Sequence, residues 1–237
     1  MTERIRLGTM VASPNFRHPI TLAKEAMTLD HVSSGRVMLG LGAGGLGFDH
    51  TVLGNEGLSP RARVQRFSEF VEVVDRALRN PAVSHQGEFY AVDDARMIPG
   101  CVQQPRLPMG IAAGGPKTIH VAARFGDAWI TWGDTSREDL TAAGTERAVR
   151  RQTDLLAESC ASIGRDFDDI DRIYLIGNTE ERPLVSVEAF EAFIDRYEEL
   201  GFTDVVFHHP RLDDPVWNDA EEIVENIATE ILPRFHR

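Results

Sequence analysis

The sequence is poor in cysteine: Cys101 and Cys160 are the only two among 237 residues, and neither sits in a CxxC pair or at a Cys/His ligand spacing. That spacing gives no basis for a zinc module or a disulfide framework, and reads as two free thiols in a reducing compartment. Long apolar runs are missing as well. No uninterrupted stretch approaches the roughly 20 residues that span a bilayer. The start, Met1-Thr2-Glu3-Arg4, lacks the apolar core of a secretory signal. Positive charge is in deficit, with 25 lysines and arginines against 37 aspartates and glutamates, a formal net charge of -12. A surface that acidic repels phosphate backbones and anionic lipid. The expected partner is therefore a small-molecule substrate, with no nucleic acid and no membrane, and the expected location is cytoplasmic. The GxSxG elbow of a serine hydrolase does not occur.

What is present is an alternation of short β-branched runs with amphipathic helical stretches. Ile5 to Val11 reads as a strand, Pro19 to Val32 as a helix, and Val37 to Leu41 as a second strand followed by a glycine-rich loop, Gly42 to Gly47. Ser59-Pro60 opens a helix carrying Val64, Phe67, Val71, Val74 and Leu78 on one face, stopped at Asn80-Pro81. Val83 to Leu107 is a loop and hairpin. Strands then follow at Met109 to Ala113, Ala128 to Thr131, Ile173 to Gly177 and Asp204 to His208. Helices follow at Lys117 to Phe125, Thr145 to Ile163, Val187 to Leu200 and Asn218 to Leu232. Strands apolar on both faces and separated by helices fit a buried parallel sheet. With no composition shift, residues 1–237 read as one α/β domain, either a doubly wound sheet or a (β/α) barrel showing six of its eight strand–helix units.

Three segments follow strands, at the end where parallel α/β folds place their sites. Gly40-Leu41-Gly42-Ala43-Gly44-Gly45-Leu46-Gly47 satisfies GxGxxG twice, yet the helix and acidic residue of a dinucleotide fold do not follow it. Such a loop either packs close to a flat cofactor ring or is a flexible loop with no ligand role. Gly114-Gly115-Pro116-Lys117-Thr118 stands at a strand-to-helix junction, where unpaired N–H groups and the positive dipole end favour an anion. Without a Gly-Lys-Ser/Thr it is not a P-loop. Phe16-Arg17-His18-Pro19 follows the first strand; Arg17 either meets an anionic cofactor or pairs with a surface carboxylate, and His18 is the one catalytic candidate. His208-His209 with Asp213 and Asp214 does not make a metal site, because adjacent strand histidines point to opposite faces.

Together these segments resemble the luciferase-like flavin monooxygenase superfamily. The resemblance is carried by Thr2-Glu3-Arg4-Ile5-Arg6-Leu7-Gly8-Thr9, Phe16-Arg17-His18-Pro19, Ser34-Gly35-Arg36-Val37-Met38-Leu39-Gly40-Leu41-Gly42-Ala43-Gly44, and Ile111-Ala112-Ala113-Gly114-Gly115-Pro116 followed by Ala122 to Trp129. It implies a TIM-type (β/α) barrel, dimeric, holding reduced FMN or coenzyme F420 at the strand ends. The first segment is similar to the family's third strand, so the resemblance also implies an N-terminally incomplete barrel and an internal Met1. Members carry a non-proline cis peptide at the end of that strand, and the matching bond is Met10-Val11. Met10, Val11, Gly42, Ala43 and Gly44 would lie against the ring; Gly114, Gly115 and Thr118 would hold the phosphate. The implied activity is monooxygenation by reduced FMN and O2. The alternatives are F420-dependent hydride transfer and a non-catalytic flavin-binding or interaction remnant. The sugar-phosphate dehydrogenases of the F420 branch place an acidic residue after the Gly-x-Gly turn, where this chain has Gly45.

Overall fold

The computed structural model describes all residues except Met1, Leu46, Gly47, Asn55, Glu56, 134–137, Asn178, Leu212, His236 and Arg237. The chain packs as two compact units: residues 1–129 with 155–170, and residues 130–154 with 171–237.

The first unit opens with β1 (Leu7–Gly8), α1 (Pro19–Ser33) and β2 (Val37–Leu41), continues with α2 (Phe48–Thr51), α3 (Pro60–Arg79) and the antiparallel hairpin β3 (Ala82–Gln86) and β4 (Ala91–Arg96), and then β5 (Met109–Ala112) and α4 (Pro116–Phe125). The start of β6 (Ala128–Thr131) completes its sheet, whose order is β1-β2-β5-β6. β1 pairs with β2 and β2 with β5 in parallel, Leu39 opposite Met109 and Leu41 opposite Ile111. Such pairing demands apolar side chains on both faces. Leu39, Leu41, Met109 and Ile111 share one face and are buried, as are Leu22, Ala23, Ala26 and Met27 of α1, Phe67, Phe70, Val71 and Val74 of α3, and Ile119 and Ala122 of α4, while Gly40 and Gly110 occupy the other face. Strand β1 is different: both of its residues are exposed.

Local chemistry sets the boundaries. The Ser59 hydroxyl accepts from the Ala62 N–H at 3.2 Å and Pro60 takes the first position of α3. α1 ends at Ser34, which adopts φ 57. The fully buried Asp30 carboxylate accepts from the Val102 N–H at 2.7 Å, the Gln103 N–H at 3.1 Å and the Gln103 amide at 2.7 Å, and so ties α1 to the chain entering β5. At the same, N-terminal end of β5, Arg106 donates to Asp75 at 2.7 Å while the Met109 N–H donates to Asp127 at 2.7 Å.

The second unit contains the end of β6, the first part of α5 (Ala142–Ser162), β7 (Asp171–Leu175), α6 (Val187–Glu199), β8 (Asp204–Val206) and α7 (Glu221–Asn226). β7 and β8 pair in parallel, Ile173 opposite Asp204. Tyr174 and Tyr197 stack at 3.9 Å, and the Tyr197 hydroxyl donates to the buried Glu181 carboxylate at 2.7 Å. Leu184, Phe190, Ile227 and Ile231 form a separate buried cluster.

Several elements depart from the sequence pattern. The first strand is Leu7–Gly8 rather than Ile5 to Val11; Thr9 turns its hydroxyl onto the Gly40 carbonyl at 2.7 Å, and pairing resumes only as a bridge at Ala12. The last helix starts at Glu221 and passes through a π-helical turn, Ile227–Ile231, which the 3.6 period does not announce. No helix among the described residues is long and apolar enough to cross a membrane.

Candidate active site

The ends of β1, β2 and β5 bring the three sequence segments to one side of the first unit's parallel sheet. The Met10–Val11 peptide bond is cis, as the resemblance implied. Beyond it the Ala12 N–H donates to the Gly40 carbonyl and the Gly42 N–H to the Ala12 carbonyl, both at 2.9 Å. Between these anchors Met10 and Val11 stay 38% and 37% exposed, an apolar pair left uncovered at a strand end.

The glycines of the second segment serve the chain's own packing. A Cβ at Gly40 would fall 1.9 Å from the Thr9 carbonyl oxygen, and one at Gly42 would fall 2.6 Å from Val11 Cγ2. Gly44, at φ +87, leaves space for Asn15, whose Nδ2 would lie 2.5 Å from a Cβ there. At Gly45 the neighbour is Asp49 Oδ2, at 3.0 Å. Ala43 is half-buried. Leu46 and Gly47 lie outside the described residues, as do Asn55 and Glu56 of the following loop.

The third segment has the opposite character. A Cβ on Gly115 would meet nothing closer than Thr118 Oγ1, at 3.9 Å, so space is open above this turn. Trp129 Nε1 donates to the Ala113 carbonyl at 2.8 Å and fixes its base. The Thr118 hydroxyl donates to the Gly115 carbonyl at 3.0 Å and accepts from the Gly115 N–H at 3.3 Å, so it closes the turn itself. Pro116 begins α4, and the first-turn N–H groups of Lys117 and Thr118 have no acceptor within the helix. An open glycine corner below a helix start is a seat for a phosphate or carboxylate.

His18 is the N-cap of α1: its Nδ1 accepts from the Ile20 N–H at 3.3 Å, and its ring stands edge-on to Tyr90 at 5.6 Å. Burial pushes the Tyr90 phenol up to about 12, against the pull of Arg66. Glu69 anchors the Tyr90 backbone by accepting its N–H at 2.8 Å. Burial acts to raise the Glu69 carboxyl, but the Phe89 and Tyr90 N–H groups, with His85, hold it below its ordinary value. Arg17 is turned away and pairs with Glu25 at 3.5 Å, both half-exposed. In the second unit His208 stacks on Trp217 at 4.5 Å.

Four residues of this region carry no mark in the sequence pattern. Asn15 is 3% exposed and its Oδ1 accepts from Arg66 Nη2, while its Nδ2 is buried without a partner. Arg63 Nε, Arg66 Nε and His50 Nδ1 are buried without partners too. Arginines three residues apart on an amphipathic helix read as a solvated stripe, so only the folded packing distinguishes them.

The family model for luciferase-like monooxygenases matches residues 1–179. The chain belongs to the luciferase-like monooxygenase family. An uncharacterized protein from Mycobacterium tuberculosis is 32% identical over 232 residues, 98% of this chain and 72% of its own length. The F420-dependent glucose-6-phosphate dehydrogenase of Microbacterium testaceum is 28% identical over 277 residues, 100% of this chain and 80% of its own length. Among solved structures, a monooxygenase from Streptomyces bottropensis matches with a TM-score of 0.71 at 22% identity, over 99% of this chain and 79% of its own. That likeness gives the fold class, a TIM-type (β/α) barrel, of which the described residues of this chain supply six strands, as an incomplete barrel implies. With the family comes the coarse class, oxidoreductase.

Proposed function

We propose that the chain is an oxidoreductase that seats coenzyme F420 at the ends of β1, β2 and β5 and passes a hydride between it and a small organic substrate. The observation that carries the reading is the pairing of an uncovered apolar step after β1, Met10 and Val11, with the open glycine turn at Gly115 after β5, at strand ends on either side of β2. A flat apolar ring bearing a phosphate-containing side chain needs both features. The choice of the deazaflavin is supported by the dehydrogenase of Microbacterium testaceum. It is also supported by Asp49, whose carboxylate stands against Gly45 and so supplies an acid beside the position where the sugar-phosphate dehydrogenases carry one.

When bound, the cofactor supplies hydride chemistry; this chain's residues supply position and exclusion of water. Met10 and Val11 would lie against one face of the ring, on a segment anchored by the hydrogen bonds of Thr9 and Ala12 with Gly40 and Gly42. The Gly114–Thr118 turn, its shape set by the Thr118 hydroxyl and Trp129, would hold the phosphate through the α4 N–H groups. His18, with Nδ1 committed to the helix cap, offers Nε2 as the one ring atom left for a substrate proton.

Monooxygenation with reduced FMN is the second reading, favoured by the match to the luciferase-like monooxygenase model. One titration tests both: fluorescence of the purified chain against coenzyme F420 and against FMN, for the wild type and Gly115→Val. Gly115 sits at extended dihedrals with free space beyond, so valine fits the fold and fills only the ligand's seat. The expected result is saturable F420 binding, weakened about tenfold or more by the valine at unchanged melting temperature. Preference for FMN would establish the second reading. Binding of neither by the folded chain would leave the non-catalytic remnant.

A further inference from the structure

Buried polar groups are almost always paired, because each orphan forfeits its hydration without return. Around the start of α3 four orphans occur together: Asn15 Nδ2, His50 Nδ1, Arg63 Nε and Arg66 Nε. All four are donors. Asn15 Oδ1 already accepts from Arg66, which leaves its amide nitrogen facing Gly44 with hydrogens to give. His50 Nε2 accepts from the Leu58 N–H at 2.7 Å, which puts the ring hydrogen on Nδ1. Arg63 and Arg66, three residues apart, project one turn from each other along the same side of α3. What such a set lacks is acceptors, and with two guanidinium groups among the donors the complementary partner is an anion. The nearby acid is Asp49, beside Gly45, and among the described residues it makes no ion pair with either arginine.

The cluster also stands beside the strand ends to which the reading above assigns the cofactor. α3 follows the end of β2 and Asn15 follows the end of β1, the two strand ends that present Met10, Val11 and Gly44. We propose that Asn15, His50, Arg63 and Arg66 form a subsite for an oxyanion, carboxylate or phosphate, carried by the substrate. The assignment to the substrate rather than the cofactor rests on the reading above, in which the separate Gly114–Thr118 turn takes the cofactor's phosphate.

The test follows the arginine Nε–H resonances of 15N-labelled full chain during titration with inorganic phosphate, a probe that reports this cluster and not the α4 turn. Arg63→Lys and Arg66→Lys assign the two signals. Both are expected to shift saturably. Asn15→Asp, which keeps shape and gives Arg66 an internal anion, should weaken that response by about tenfold or more, with circular dichroism unchanged. Silent signals in the wild type, or an equal response in Asn15→Asp, would overturn the subsite. Adding coenzyme F420 or FMN to the phosphate-saturated protein separates the two sources. Binding without displacement supports a substrate oxyanion, whereas displacement of phosphate assigns the cluster to the cofactor and overturns the proposal. Failure of both cofactors to bind sinks the oxidoreductase reading alone, and the phosphate response still decides the subsite.

Discussion

Trp129 on β6 reaches across to β5 and donates its indole N–H to the Ala113 carbonyl at 2.8 Å, with no part of the side chain exposed. The residue that shapes the candidate phosphate turn is therefore a core aromatic thirteen positions beyond Pro116. Trp129→Phe keeps most of the apolar volume and leaves the Ala113 carbonyl without that donor. A loss of about 1–3 kcal/mol is expected, read by urea unfolding. Cofactor affinity should fall with it, because Gly114 and Gly115 lose their fixed base. Unchanged affinity at reduced stability would make Trp129 a packing residue only.

Gly40 and Gly42 look alike in sequence and should behave differently. The atom in the way at Gly40 is a backbone carbonyl oxygen, 1.9 Å from the would-be Cβ, whereas at Gly42 it is a side-chain methyl of Val11 at 2.6 Å. Gly40→Ala is expected to cost more than about 4 kcal/mol or to prevent folding. Gly42→Ala should cost about 1–3 kcal/mol. Adding Val11→Ala should recover most of the second loss and none of the first, a coupling that a double-mutant cycle measures directly.

Asp30 accepts three hydrogen bonds with no exposure to water. Asp30→Ala takes the buried acceptor from the Val102 and Gln103 backbone N–H groups and leaves the Gln103 amide with the Val37 carbonyl alone, and a loss of about 1–3 kcal/mol is expected, measured by the urea midpoint. A loss below about 1 kcal/mol would mean that water replaces the carboxylate there.

The sequence contains three tyrosines, and burial raises all of them: Tyr90 to about 12, and Tyr174 and Tyr197 further still. A phenol raised in the folded state favours folding at pH below its unfolded value near 10, and that contribution is lost as pH rises through the folded value. Ultraviolet titration of the native chain should therefore show almost no tyrosinate at pH 10.5, while the urea-unfolded chain shows about three-quarters of it. Tyr90→Phe should flatten the fall of stability between pH 10 and about 12 that this residue causes. Substantial native tyrosinate near pH 10 would contradict the burial of these rings.

Much of this fold was legible before any coordinates. Helix α3 starts at Pro60 as the Ser59-Pro60 pair indicates, because a cap and a first-turn proline act locally. β2 and β6 match their apolar runs to the residue, since burial on both faces writes itself into composition. β1 was overextended because Ile5 to Val11 is apolar enough for a strand, while Thr9 spends its hydroxyl on Gly40 and breaks the pairing. The site was legible as glycines on strand ends, but a glycine in a sequence does not say what fills its missing side chain. At Gly40, Gly42 and Gly44 the protein itself fills it; at Gly115 nothing does. Asn15, Arg63 and Arg66 were invisible for a related reason, as their significance lies in bonds they do not make.

The Asp30 clamp also bears on the order of assembly. Its partners lie 72 and 73 residues further along the chain, beyond β2, α3 and the whole β3–β4 hairpin. Closing so long a loop is entropically expensive, so a contact of this separation forms late, once the intervening elements have docked. Its energy then resists unfolding instead of speeding folding. This carboxylate is a latch that keeps the first unit shut, and its loss would register in how long the native state lasts before it registers in how fast that state is reached.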